Sequence, residues 1–159
     1  MGTVFPSSWP YLLFGVFEPL SCFGGYLFPA GDITKFIVDS TPNVEPPATI
    51  HPHSIVLAGQ LGNIYALLGF LSFILLYSTR DPKVLRNYVL AYCFSDINHL
   101  YATYRGVGWD TFVDPRAWDN VLTWGNIGLT VFMFVNRVLY LCGVFGHAES
   151  PKAQGKKRA

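Results

Sequence analysis

The stretch Ser54–Tyr77, SIVLAGQLGNIYALLGFLSFILLY, contains no charged residue in 24 positions. A helix rises about 1.5 Å per residue, so about 20 apolar residues cross the hydrocarbon core of a bilayer. A helix of a soluble bundle needs a polar face over about half of its surface, and this stretch has only scattered polar positions. The stretch therefore predicts a membrane-spanning helix.

The composition of the whole chain agrees with this prediction. Of the 159 residues, 51% are hydrophobic and 13% are charged, and the formal net charge is +1. An ordinary soluble domain has about 25% charged residues. The near-neutral charge argues against nucleic acid as a partner, and the aromatic content of 16% argues against disorder. We expect the lipid bilayer to be a partner of this chain.

Three further apolar stretches are long enough to cross a bilayer. They run over residues 11–28, 84–104 and 120–145. Together with residues 54–77 they predict an all-α, integral membrane four-helix bundle. It forms a single domain over residues 1–146, followed by a short basic tail over residues 147–159. Four buried helices of a soluble bundle are the alternative.

Basic residues are distributed unevenly over the predicted loops. Four crossings place both termini on the side of the link between spans two and three. That side contains seven Lys and Arg residues, against three on the other, so both termini are expected in the cytosol. The ending Lys156-Lys157-Arg158 resembles a dilysine signal and predicts the endoplasmic reticulum membrane, with a lipid-attracted basic tail as the alternative.

Two charged side chains lie at similar depths in the first and last predicted spans. Glu18 is about 10 Å and Arg137 about 12 Å from the cytosolic ends of their spans. An unpaired charge in the hydrocarbon layer costs several kcal/mol. We therefore predict a structural ion pair between Glu18 and Arg137.

Polar residues also recur at one depth in the other half of the predicted bundle. Asp96 and His99 lie one helical turn apart on the third span and share a face with Tyr92. By the depth count, three amide side chains of the neighbouring spans lie in the same layer: Gln60, Asn63 and Asn126. The layer predicts either a ligand cavity or a set of interhelical hydrogen bonds.

Asp96 beside His99 favours the cavity, because hydrogen bonds between helices need only amides and hydroxyls, whereas this pair can transfer a proton. We predict that Asp96, His99 and the loop residue Asp110 are catalytic. The predicted substrate-binding residues are Gln60, Asn63, Tyr92, Tyr101, Trp124 and Asn126. His51 and His53 are too few ligands for a metal, and no metal or other cofactor is expected.

Four motifs resemble a family of small fungal multipass membrane proteins classed as a domain of unknown function. They are QLGNIY (60–65), SDINHLY (95–101), GWD (108–110) with DP (114–115) and Trp118, and WGNIG (124–128). The resemblance implies the multipass architecture and no reaction. More remotely, the architecture is similar to the emopamil-binding and sigma-2 receptor proteins, which handle sterols, although the His and paired-Glu pattern of sterol isomerases is missing here.

Three functions are consistent with these residues. The first is an enzyme that performs acid–base chemistry on a lipophilic small molecule, by isomerisation, cyclisation or epoxide opening. The second is a non-catalytic sterol- or lipid-binding protein. The third is a structural subunit of a membrane complex. The oligomeric state is left open at this point.

Overall fold

Six helices and no β-strand make up the part of the chain that the structure, a computed structural model, describes, residues 5–146. The helices are α1 (Ser8–Gly31), α2 (Ile33–Asp39), α3 (Pro52–Ser78), α4 (Pro82–Val107), α5 (Trp109–Val113) and α6 (Val121–Leu141). A single 3-10 turn, Pro115–Ala117, connects α5 to α6. The predicted all-α class is confirmed for these residues.

Three of these helices, α1, α3 and α6, are long and apolar enough to cross a membrane. The remaining predicted span lies in α4, which has 26 residues and is long enough. The mean hydropathy of α4 is too low for it to count among the helices that are apolar enough to cross a membrane. The reason is that α4 carries polar and charged residues such as Asp96, His99 and Arg105. By length and composition, α1, α3 and α6 are therefore candidates for membrane-spanning helices.

The helix ends differ from the predicted spans by a few residues. The last helix ends at Leu141 instead of residue 145, because the chain turns at Gly143, where φ is 78°. Glycine adopts this left-handed conformation without a steric penalty. The predicted basic tail, residues 147–159, lies outside the described residues.

Glycines allow α1 and α3 to pack closely along their length. A Cβ atom at Gly62 would lie 2.9 Å from Cγ of Pro29, and one at Gly69 would lie 3.3 Å from the Phe23 ring. Small residues let membrane helices approach each other and gain van der Waals contact. These contacts determine which face of α3 is turned inward.

A hydrophobic core joins α1, α4 and α6 near the start of α1. Phe14 is buried against Tyr140, with 5.9 Å between the ring centroids, and packs in one cluster with Leu85 and Val89. Trp9 Nε1 donates a hydrogen bond to a side-chain oxygen of Asn136 at 2.9 Å. The helices are thus held together at this end of the bundle.

Two stretches of the long apolar helices are π-helical, Tyr11–Phe17 in α1 and Trp124–Leu129 in α6. Pro19 has no N–H to donate to the Gly15 carbonyl, and the Tyr77 hydroxyl donates a hydrogen bond to that oxygen at 3.3 Å. Such wide turns are frequent at functional sites. Here the first π-helical stretch ends directly before Glu18, and the second contains Asn126.

Candidate functional site

An ionic cluster of three side chains lies inside the bundle. The two terminal nitrogens of Arg137 on α6 donate hydrogen bonds to Glu18 on α1 and to Asp96 on α4. All three residues are buried, with exposures of 2%, 3% and 8% for Arg137, Glu18 and Asp96. The arginine on α6 therefore joins two carboxylates from two other helices.

Aromatic rings cover the Arg137 guanidinium. Its carbon lies 5.3 Å from the ring centroid of Tyr92 and 5.7 Å from that of Phe14. A cation near the face of an aromatic ring is stabilised by the quadrupole of the ring. The rings thus add to the two carboxylates in compensating the buried charge.

Two polar atoms of the cluster have no hydrogen-bond partner within residues 5–146. They are the second carboxylate oxygen of Glu18, Oε2, and the Nε of Arg137. A buried polar atom without a partner costs about 1–3 kcal/mol. These atoms are the positions at which a bound group would gain most from a hydrogen bond.

A hydroxyl network lies beside the cluster and joins α3 to α4. The Tyr88 hydroxyl donates to Ser72 Oγ at 2.9 Å, and Ser72 Oγ and the Tyr92 hydroxyl are 2.7 Å apart. Ser72 also donates to the Leu68 carbonyl at 2.7 Å. Ser72 is completely buried, so this network holds Tyr92 in position over Arg137.

A cavity of about 390 Å³ adjoins the cluster and is lined by residues of α1, α3, α4 and α6. Its apolar walls include Phe28, Leu68, Leu122, Leu129 and Met133. Val121 also lines it and is 80% exposed, so the cavity reaches the outer surface of the helices. The volume falls within the range of about 300–1,000 Å³ that is typical of small-molecule sites.

The family model described as Domain of unknown function (DUF7704) matches residues 3–147. The chain belongs to this family. The match covers both the ionic cluster and the cavity, and the description of the family assigns it no reaction. No curated protein and no solved structure matches the chain significantly.

Besides Glu18 and Arg137, four predicted catalytic or substrate-binding residues line the cavity of this family member: Tyr92, Asp96, His99 and Asn126. Three of them lie on α4 at the three- and four-residue steps that place side chains on one helical face. Asp96 differs from the expectation in its partner. Within the described residues its hydrogen bond comes from Arg137, and it forms none with His99.

Gln60 and Asn63, which the depth count placed in the same layer as Asp96 and His99, do not line this cavity. Both side chains are exposed on α3. The α3 residues that line the cavity are Tyr65 and Leu68, and Asn63 lies about 200° around the helix from Tyr65 at about 100° per residue. The depth count predicts how far along the helix these amides lie, but not which side of the helix they are on.

Tyr101, Trp124 and Asp110 also lie outside the cavity. Tyr101 is 58% exposed and accepts a hydrogen bond from Arg105 at 3.2 Å. Trp124 is 50% exposed and packs edge-on against Trp118, with 4.8 Å between the ring centroids. Asp110 is exposed on the short helix α5. Their closeness in sequence to the site residues does not bring them to the site.

Several lining residues were missed from the sequence, among them Tyr65, Cys22 and the pair Gly24-Gly25. Consecutive glycines in the middle of an apolar helix leave space beside the backbone, and this was the signal that could have indicated a cavity. A Cβ atom at Gly24 would have no neighbour within 4 Å. Glu18, Asp96 and Arg137 are also the charged residues that lie well inside the predicted spans, since Arg86 is only two residues from the start of its span.

The polar residues of the connecting segments have structural roles. Asp114 caps the 3-10 turn by accepting from the Arg116 backbone N–H at 3.0 Å, as the Asp-Pro pair indicates. The hydrogen bond from the Arg116 side chain holds the pKa of Asp114 below its ordinary value. His51 caps α3 by accepting from the His53 N–H at 3.2 Å.

Across residues 5–146, no group of three potential ligands could hold a metal ion.

Proposed function

We propose that this membrane protein binds a lipophilic small molecule in the cavity beside the Glu18–Arg137–Asp96 cluster. The observation that carries the proposal is Glu18, which lines a cavity with mostly apolar sides and whose buried Oε2 has no hydrogen-bond partner within residues 5–146. A hydroxyl or another hydrogen-bond donor of the ligand would satisfy this oxygen, while the apolar walls hold the rest of the molecule. The resemblance to emopamil-binding proteins favours the same ligand class.

The proposal includes four membrane spans, with α4 as the fourth. Its polar residues Asp96 and His99 face the cavity, so that α4 can cross the bilayer without presenting them to lipid. The distribution of Lys and Arg supports cytosolic termini. A location in the endoplasmic reticulum and a fungal origin stay predictions from the sequence.

A second candidate function is acid–base catalysis in the same cavity. His99 favours it, because this half-buried imidazole lines the cavity and belongs neither to the ionic cluster nor to the hydroxyl network. In a double-bond isomerisation, a neutral imidazole would accept a proton from one carbon and the same proton would return to another. Such a reaction consumes no redox cofactor and no metal.

Ligand binding is tested by native mass spectrometry of the protein purified in lipid nanodiscs. We expect a co-purified lipophilic molecule with the wild type. Gly125→Leu should remove it, because Gly125 lines the cavity and has open space around its Cβ position. Gly106→Leu is the matched control, since its Cβ position is also open but does not line the cavity.

Two results would contradict the binding proposal. One is a wild-type protein that is folded and carries no ligand, which would favour a structural subunit. The other is equal ligand retention by Gly125→Leu and Gly106→Leu. Thermal unfolding of both variants establishes that each is folded.

Catalysis is tested by lipid analysis of cells that express the wild type or His99→Gln. An enzyme would generate a product with the wild type and lose it with His99→Gln, which should still retain the ligand because the cluster is intact. Undiminished product formation by His99→Gln would exclude the imidazole as the acid–base group. Ligand retention without any product would identify a binding protein.

A further inference from the structure

Two amide side chains lie on the outward face of α3, away from the cavity. Gln60 and Asn63 are one helical turn apart, both are exposed, and neither forms a side-chain hydrogen bond with any residue that the structure describes. Their neighbours on this face are apolar and exposed, with 48% for Ile64 and 59% for Leu67. The amides therefore form a polar spot on an otherwise lipophilic surface.

Asn63 lies deep within the span. It is about 16 Å from the start of α3 at Pro52 and about 22 Å from its end at Ser78, at about 1.5 Å per residue. When this helix of 27 residues is centred in a hydrocarbon layer of about 30 Å, Asn63 lies about 11 Å below the boundary. Its short side chain cannot reach the polar headgroups from this depth.

Lipid tails cannot satisfy these amides. A polar group in hydrocarbon without a partner is unfavourable, and interhelical hydrogen bonds are the usual way to remove the cost. The opposite side of α3 already packs against α1 through Gly62 and Gly69. A partner for Gln60 and Asn63 must therefore come from outside the described chain.

We propose that the outward face of α3 is the interface of a homodimer, in which Gln60 and Asn63 hydrogen-bond to the same residues of a second copy. A carboxamide has both donors and an acceptor, so that identical amides can pair across a two-fold axis. Copies inserted with one orientation are related by an axis along the membrane normal, which places their α3 helices parallel.

Two more features of this face fit a second copy. The α3 helix has no charged residue between positions 54 and 77. Its outward face therefore does not need a partner of opposite charge and can pair with an identical face. Gly59 precedes Asn63 by one turn and is exposed, and a Cβ atom there would meet only Ile33, at 4.0 Å. A glycine at this position allows two helices to approach closely beside the amides.

Subunit counting tests the proposal. The full chain is labelled, placed in phosphatidylcholine vesicles at decreasing protein-to-lipid ratio, and examined by single-molecule photobleaching. We expect dimers for the wild type, and a dissociation constant that is about tenfold or more higher for Gln60→Leu/Asn63→Leu, because several interhelical hydrogen bonds are lost. A wild type that is monomeric at every ratio overturns the proposal.

Asn98→Leu is the matched control. Asn98 is an exposed amide on α4 whose Nδ2 already donates to the Phe94 carbonyl of its own helix at 2.9 Å. This variant should dimerise as the wild type does. A double variant of α3 that dimerises equally well would also overturn the proposal.

Disulfide cross-linking provides a second measurement that does not depend on the amide variants. Cys142 is exposed and is replaced by serine, while Cys22 and Cys93 are buried and stay. Leu67→Cys on the proposed interface should give cross-linked dimers in vesicles, and Phe94→Cys on α4 should not. Equal cross-linking at both positions contradicts the α3 interface. The result does not depend on whether the cavity holds a ligand.

Discussion

Arg137 is the cation that compensates the buried carboxylates of Glu18 and Asp96. We predict that Arg137→Met lowers the free energy of unfolding by about 3–5 kcal/mol, because it leaves Glu18 and Asp96 buried without a cation. Unfolding in mixed detergent micelles measures the change. Arg105→Met is the control, since Arg105 is exposed and its loss should change the value by less than about 0.5 kcal/mol. Equal stability of the two variants would contradict the role of the cluster.

Ser72 is the centre of the hydroxyl network between α3 and α4. Ser72→Ala removes the partner of both the Tyr88 and the Tyr92 hydroxyl, and we predict that it lowers the free energy of unfolding by about 1–3 kcal/mol. Ser95→Ala, at an exposed position on α4, should have little effect. The prediction fails when both serine variants unfold at the same detergent fraction.

From the sequence, the depth of a side chain along its helix could be predicted, but only in part the face of the helix on which it lies. The spacing of Tyr92, Asp96 and His99 on one helix defines a common face, and all three line the cavity. Gln60 and Asn63 lie on another helix, whose inward face is determined by glycine contacts with α1. Such contacts depend on the tertiary packing, which the hydropathy of a single helix does not contain.

Glycine packing between α1 and α3 is the feature that can be tested at the scale of the element. We predict that Gly62→Ala lowers the free energy of unfolding by about 1–3 kcal/mol, because the new Cβ atom would lie 2.9 Å from Pro29 Cγ. Gly106→Ala has open space around the Cβ position, and should be neutral or slightly stabilising because alanine favours a helix over glycine. Thermal unfolding in detergent compares the two variants, and a loss of stability with Gly106→Ala alone would contradict the prediction.

Helix identity could be predicted from hydropathy and length, whereas the π-helical stretches could not. The apolar stretches extend over the same residues as α1, α3 and α6, to within a few positions at each end. In the π-helical stretch Trp124–Leu129, the hydroxyl of the following residue, Thr130, donates a hydrogen bond to the Gly125 carbonyl five residues earlier, at 3.2 Å. No pattern of apolar residues indicates such a turn.

The arrangement of the whole molecule in the membrane can be tested by the accessibility of single cysteines in sealed microsomes. In a Cys142→Ser background, we predict that Arg80→Cys reacts with an impermeant maleimide from the cytosolic side. Arg116→Cys should react only after the membrane is opened, because α4 lies between these two positions and crosses the bilayer in the proposed arrangement. Both positions are exposed. Reaction of both cysteines from the same side would show that α4 does not cross.

The low hydropathy of α4 has a consequence for biogenesis. The cation that compensates Asp96 lies 41 residues later in the chain, so that Asp96 reaches the translocon before Arg137 does. A segment with an uncompensated acid partitions poorly into lipid from the translocon. On the four-span arrangement, the nascent α4 has to wait at the protein-conducting channel, beside α1 and α3, until α6 arrives and the two helices enter the bilayer together.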